Sequence, residues 1–274
     1  MKNLFQRNWY TDVSRSDNGM LRAETTYLDT YREAAAQLLV DVNSFIIKEA
    51  LWTERRSLQT KKVRTRQITA LHGAEAYLNS GPALKKAAAF LADSLTVSLF
   101  AEAIRGIVQA ETFLLEERGY ASEEDYDNAW ADFYLGSCRY YSNLDRVTQS
   151  WYAHVGESKR DGNNLYVRFK TQSLFSLGEG RYLLTGNFSD SFHEISISIK
   201  LDKFTVEHAS GVLPRTPDLV CKEAAQLLDN LQGINLHGLP KKEIATILGN
   251  GQGCIHLIDL VSDCAQLLEL YQFT

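Results

Sequence analysis

The chain has no long apolar run, no basic excess and too few cysteines for a disulfide scaffold, and each shortage excludes a class of function. No stretch approaches the roughly 18 apolar residues that a membrane-spanning helix requires. Lys and Arg total 29 against 34 Asp and Glu, a formal net charge of −5. With no basic tract either, nucleic acid is not expected as a partner. Four cysteines among 274 residues do not make a disulfide framework, so the thiols are read as reduced and the protein as cytoplasmic. The opening "MKNLFQRNWYTDVSR" turns polar too soon to hold the apolar core of a secretory signal. What is present is an ordinary globular mixture, 45% hydrophobic and 23% charged, enough for one large domain or two smaller ones.

The clearest organisation is an internal echo. Residues 4–41 set over 165–202 run without a gap at an offset of 161, matching Leu4 with Leu165, Gly19 with Gly180 and Asp29 with Asp190. "NSFIIKEA" (43–50) then falls on "KFTVEHA" (203–209), and "LKKAAAFL" (84–91) near "PKKEIATIL" (240–248). The pattern predicts an α+β fold of two tandem copies, each a small antiparallel sheet followed by helices. The copies span 1–119 and 161–274, with an aromatic-rich helical linker over 120–160.

In the second copy "RYLLTGNF" and "HEISISIKL" read as strands, the latter alternating Ile195, Ile197 and Ile199 with polar residues. "LDKFTVEHA" continues as a hairpin into a third strand. "TPDLVCKEAAQLLDNLQG" reads as a helix with Thr216 as N-cap, Pro217 at the first helical position and Gly233 as stop. "PKKEIATILG" is a short helix, and "CIHLIDLVSDCAQLLELYQF" the last. In the first copy "YREAAAQLLV" would be helical by propensity alone, but the echo assigns it to a strand. The linker opens with a capping signal, Ser122 and Asp125. Its Tyr126, Trp130, Phe133 and Tyr140 recur at helical spacing. Packing explains that stripe more simply than a ligand-stacking surface does. "GESKRDGNN" (156–164) is a loop.

Candidate chemistry collects where the predicted elements of the second copy turn. Asp190 and His193 head the Ile-alternating strand, and His193 shares the parity of Ile195 and so points inward. Cys221 falls in the first turn of a helix, and Cys254 and His256 stand at the mouth of the last one after a glycine loop. Thiolate, imidazole and carboxylate together suit zinc, iron or an iron–sulfur cluster. Helix N-termini favour thiolates, so low thiol pKa values are expected at Cys221 and Cys254. The expected metal ligands are Cys221, Cys254, His256 and His193, with Asp190 as a further ligand or orienting partner. Cys264 and Cys138 are read as structural, and His208 as a structural or surface histidine. If the chain is instead a metal-free enzyme such as a sulfurtransferase, Cys254 is its nucleophile, with His256 as base or Cys221 as resolving thiol. A third reading is a non-catalytic interaction module. A client metalloprotein or a second copy would be the partner of the metal-binding form.

At the aligned positions the first copy has Arg32 for His193, about Lys62 for Cys221, and about Thr96 and Ser98 for Cys254 and His256. Every soft ligand is lost there, and Asp29 alone matches. The first copy is read as a degenerate partner.

The second copy resembles an uncharacterised bacterial family known only as a domain of unknown function. Shared features are Asp190-x-x-His193 before a strand, Pro217-x-x-x-Cys221, Leu231-x-Gly233, and a Gly-Cys-Thr-His-Leu signature appearing as Gly253–Leu257 with Ile255 for the Thr. More distantly, the order of strand, hairpin, Cys helix and Cys/His helix is similar to the U-type iron–sulfur cluster scaffold fold. That resemblance implies a cluster or zinc held by three cysteines, a histidine and an aspartate. The chain departs from it in having no cysteine beside Asp190 and in separating Cys254 from His256 by one residue.

Overall fold

Polar-apolar alternation bounded by turn residues marks the strands of this chain. The computed structural model describes residues 1–58, 61–91, 94–160 and 162–272. Among the described residues, nine strands form an antiparallel sheet: β1 Lys2–Ser16, β2 Met20–Asp29, β3 Glu33–Asp41, β4 Ile47–Arg56, β5 Arg64–Gln67, β6 Asn164–Gly178, β7 Arg181–Asp190, β8 Glu194–Asp202 and β9 Thr205–Arg215. They hydrogen-bond in the order β5-β4-β3-β2-β1-β6-β7-β8-β9. The helices are α1 Gly81–Leu91, α2 Ser94–Ala110, α3 Leu115–Arg118, α4 Glu123–Tyr134, α5 Trp151–Val155, α6 Leu219–Lys222, α7 Lys241–Ile247 and α8 Ile255–Gln272. Asp161 of the 156–164 loop and Phe273 of the final segment lie outside the described residues. No described helix is long and apolar enough to cross a membrane.

The chain divides into two compact units: Asn8–Tyr126 with Glu157–Phe169, and Met1–Arg7 with Asp127–Gly156 and Lys170–Thr274. In the former, α2 packs on β2 and β3. Gly106 of α2 permits the approach, since a Cβ there would lie 3.0 Å from Val13 and 3.1 Å from Thr11. Beside it the buried Glu102 faces the buried Arg168 at 3.4 Å, and the Arg168 Nε–H donates to Tyr166 Oη at 2.8 Å. The Ala-rich stretch is a strand, β3, with Ala34, Ala35 and Ala36 buried.

The other unit carries the candidate ligands. Ile195, Ile197 and Ile199 are buried as their alternation predicts, and β8 pairs with β7 from Ser189↔Glu194 to Arg181↔Asp202. The β6–β7 turn places Glu179 at φ 55° and Gly180 at φ 75°, the left-handed pair that a tight hairpin requires. Helix α8 lies on β7 and β8 with Cys264, Leu260 and Leu267 buried. Its approach depends on Gly186: a Cβ there would meet Cys264 Sγ at 2.7 Å and Ile197 and Leu260 at 3.0 Å. Gly186→Ala is expected to cost about 1–3 kcal/mol. Cys264→Ala in the same chain should recover part of that loss; urea unfolding of the single and double variants checks both.

Two sequence expectations are corrected here. The helix after β9 is capped by Asp218, not Thr216: the Asp218 carboxylate accepts from Val220 N at 3.0 Å, while the Thr216 hydroxyl donates to Asp218 O at 2.8 Å. After the single α-helical turn of α6 the chain tightens into a 3-10 helix over Glu223–Leu231. The aromatic stripe of 120–160 also lacks the continuity assumed for it. Helix α4 is capped by Ser122, whose Oγ accepts from Asp125 N at 3.1 Å, and ends at Tyr134. Tyr126 is buried, whereas Phe133 is 63% exposed. Trp130 stacks on Tyr134 at 4.8 Å, which stacks on Tyr141 at 5.4 Å.

Candidate metal site

The tight β7–β8 connection positions the first two candidate ligands. Asp190 Oδ1 accepts from the backbone N–H of Phe192 at 2.8 Å and of His193 at 2.7 Å. This is the local turn that an Asp side chain builds with the backbone just downstream. The same oxygen lies 3.1 Å from His193 Nδ1. A carboxylate oxygen can only accept, so Nδ1 carries the proton and the Nε2 lone pair is turned outward from the pair. Both residues are buried.

His256 comes from the first turn of α8. Its ring centroid is 4.2 Å from that of His193, tilted by 38°, and 5.1 Å from Phe188. One ligand atom each from Asp190, His193 and His256 lies within 4.8 Å of the others. Aromatic rings enclose the group: Trp151 of α5 packs on Phe192 at 4.8 Å and lies 6.5 Å from His193. His154 hydrogen-bonds to Phe192 O at 2.8 Å. Burial holds the His154 pKa below its ordinary value against that bond.

Cys254 and His256 follow a glycine loop whose composition answers to backbone crowding. Gly249 adopts φ 87°. A Cβ on Gly251 would fall on the Gly136 carbonyl, and one on Gly253 on the Leu248 carbonyl. The loop is tied to the 136–143 segment. Arg139 N donates to Gly253 O at 2.8 Å, Arg139 Nη1 to Gln252 O at 3.0 Å and Ser142 Oγ to Gly251 O at 2.6 Å.

The thiols do not behave as their helix starts suggested. Burial pushes the Cys254 thiol up to about 12, although the N–H groups of Leu257 and His256 favour its thiolate. Burial pushes Cys221 up to about 12 as well. The desolvation of a buried thiol thus outweighs the positive end of the helix.

Asp218, ahead of Cys221, is held below its ordinary 3.8. Burial opposes its charge, but bonds from Val220 N, from Thr148 N and Oγ1 (both 2.8 Å) and from Gln149 N outweigh it. A depressed carboxyl stabilises the fold above its unfolded pKa, and that contribution is lost as pH falls through the folded value. Asp218→Asn is therefore expected to lower stability at pH 7, with the difference from wild type shrinking below pH 3.8. Urea unfolding at pH 7 and pH 3 measures it; a pH-independent difference would contradict the charged cap.

Of the five residues the sequence singled out, Asp190, His193 and His256 form the close group, and Cys221 and Cys254 stand outside it. Cys264 is buried in α8 against β7, and His208 is exposed on β9. Sequence reasoning missed Arg139, which reaches Val220 O with Nε at 2.8 Å as well as the glycine loop. It also missed the enclosing Trp151 and Phe188.

Residues 184–268 match the family described as "Protein of unknown function (DUF2889)". The match contains the whole Asp190/His193/His256 group together with Cys221 and Cys254. No curated protein matches the chain.

Proposed function

We propose that this is a metal-binding protein whose ion is held by His193 and His256 and steadied by Asp190. The observation that carries this reading is the convergence of the three ligand atoms within 4.8 Å. Two imidazoles and a carboxylate fit zinc or ferrous iron. An iron–sulfur cluster needs thiolates, which this group does not offer. Asp190 Oδ1 is engaged by three N–H groups, so its main part is to aim His193 Nε2, and solvent would complete the coordination. The ion would serve a metal centre's assembly or delivery, with a client metalloprotein or a second copy as partner, or catalysis in the cytoplasm. Anaerobic purification with elemental analysis tests the core of this. About one zinc or iron per chain is expected; protein that stays metal-free after incubation with both ions would overturn it.

The nucleophile alternative is disfavoured by the burial that keeps Cys254 protonated. The likeness to the U-type scaffold draws support from the order of sheet then Cys-bearing helices, though His193 stands where a cysteine would be needed.

We further infer an internal duplication, with copies at 1–119 and 161–274 joined by 120–160 and only the second carrying ligands. In its favour, β2 and β3 map onto β7 and β8 at an offset of 161 at every boundary. The pairings Leu28↔Glu33 and Ser189↔Glu194 correspond, as do irregularities after Leu39 and Lys200. Asp29 Oδ1 accepts from the N–H groups of Tyr31 and Arg32 as Asp190 Oδ1 does from Phe192 and His193. Arg32, in place of His193, pairs with Glu54 at 3.0 Å. On this reading the aspartate turn belongs to the scaffold, and the two histidines are what turn it into a site.

A further inference from the structure

We propose that the outer edge of β5 docks an acidic peptide in extended conformation, which adds to the sheet as a further strand. Though no long basic tract occurs, the cations of this chain are unevenly spread. Residues 55–74 hold six Lys and Arg and no Asp or Glu, leaving 23 Lys and Arg against 34 acids elsewhere. β5 lies inside that stretch and stands at one end of the strand order. Its inner edge pairs with β4 from Leu51↔Gln67 to Glu54↔Arg64. Among the described residues no strand covers its outer edge, so one row of backbone donors and acceptors is left for a partner.

The side chains set the sign of that partner. Lys61, Lys62, Arg64 and Arg66 are all exposed, and Val63 between them is 65% exposed. Among the described residues no carboxylate pairs with Lys61, Arg64 or Arg66. The acid across from Arg64, Glu54, is taken by Arg32 at 3.0 Å. Arg55 and Arg56, by contrast, are engaged, the first near Glu24 and Glu33 at 3.8 and 3.9 Å and the second on Asp29 O at 3.2 Å.

An exposed edge commonly carries charge to repel other edges, and charge of a single sign does so selectively. It turns away a basic or apolar strand, which leaves the cations unmatched, and admits one whose Asp or Glu side chains stand opposite them. Main-chain bonds then supply affinity and the charge match supplies specificity. Nucleic acid is the poorer match, because a polyanion long enough to run past the patch meets a chain with an excess of acid. β5 belongs to the unit without the Asp190/His193/His256 group, so the proposal does not depend on a metal.

Fluorescence anisotropy of a labelled peptide that alternates Glu and Val, titrated with the full chain at low salt, tests this. Binding is expected to saturate, to weaken as NaCl is raised, and to vanish when Lys replaces Glu in the peptide. Methylating the peptide's backbone nitrogens should weaken binding at least about tenfold, since it removes ladder bonds and leaves the charge unchanged. Arg64→Glu/Arg66→Glu should also weaken it at least about tenfold, and both side chains are exposed, so the fold is kept. Lys200→Glu, exposed on β8, should leave binding unchanged. On unmodified protein the Glu–Val peptide should slow amide exchange within Arg64–Gln67. No binding, equal affinity for the methylated peptide, indifference to Arg64→Glu/Arg66→Glu, or a single-stranded oligonucleotide that binds more tightly than the peptide would overturn the proposal.

Discussion

His256→Ala is expected to lower zinc affinity on the order of 10³-fold, about 4 kcal/mol, while leaving the protein folded. The argument is local. His256 is only half-buried on the first turn of α8, so truncating it opens little of the core, yet it removes one of two imidazole donors. His193→Ala should have an effect of the same size. Asp190→Asn should cost less in affinity, about 10–100-fold, because it loosens the aim of His193 without removing a nitrogen. Its effect on stability should be the larger, since the turn loses the charged acceptor of two backbone N–H groups. Zinc affinity should also fall as pH is lowered, because protons compete for the imidazole nitrogens. Competition against a chromophoric chelator reads all three variants. Equal zinc affinity in wild type and His256→Ala would remove His256 from the site.

The second large effect belongs to the glycine loop. Gly251→Ala sets a methyl group on the Gly136 carbonyl, and Gly253→Ala sets one on the Leu248 carbonyl. In each case the obstacle is backbone, which cannot rotate aside as a side chain would. Each substitution is expected to destabilise by about 3 kcal/mol, a fall of roughly 6–12 °C in Tm for a chain of this size. Both should weaken metal binding too, since the displaced segment leads directly into Cys254 and His256. Gly81→Ala is the control: its Cβ meets nothing within 4 Å, and the change should stay within about 0.5 kcal/mol. A Tm for Gly251→Ala equal to that of wild type would mean that the loop is not held against Gly136.

Which of these features were legible in the sequence follows from how local their causes are. The strand of Ile195, Ile197 and Ile199 could be read because one face of an antiparallel sheet is buried and the other is not. Ala34–Ala36 could not be read from propensity, since tertiary pairing with β2 and β4 overrides it; only the alignment with β8 put a strand there. Asp190 and His193 were visible as a pair because their turn closes within three residues. The cap of α6 was misassigned by two positions because Thr216 and Asp218 both carry capping oxygens, and the hydrogen bonds from Thr148, 70 residues away, favour Asp218. The thiol pKa values went astray for a related reason: a helix start is local and legible, whereas burial depends on what packs around it. Arg139 reaches partners 81 and 113 residues distant, so nothing in its own neighbourhood announced its role.

The central claim is that one ion binds both imidazoles. The most direct test is long-range ¹H–¹⁵N NMR of histidine-labelled protein, with and without Zn²⁺ in excess of every site. Of the six histidines, His193 and His256 are expected to shift strongly, with His193 bound through Nε2 and protonated on Nδ1 toward Asp190. Ring nitrogens of His193 and His256 that do not respond to zinc would contradict the account.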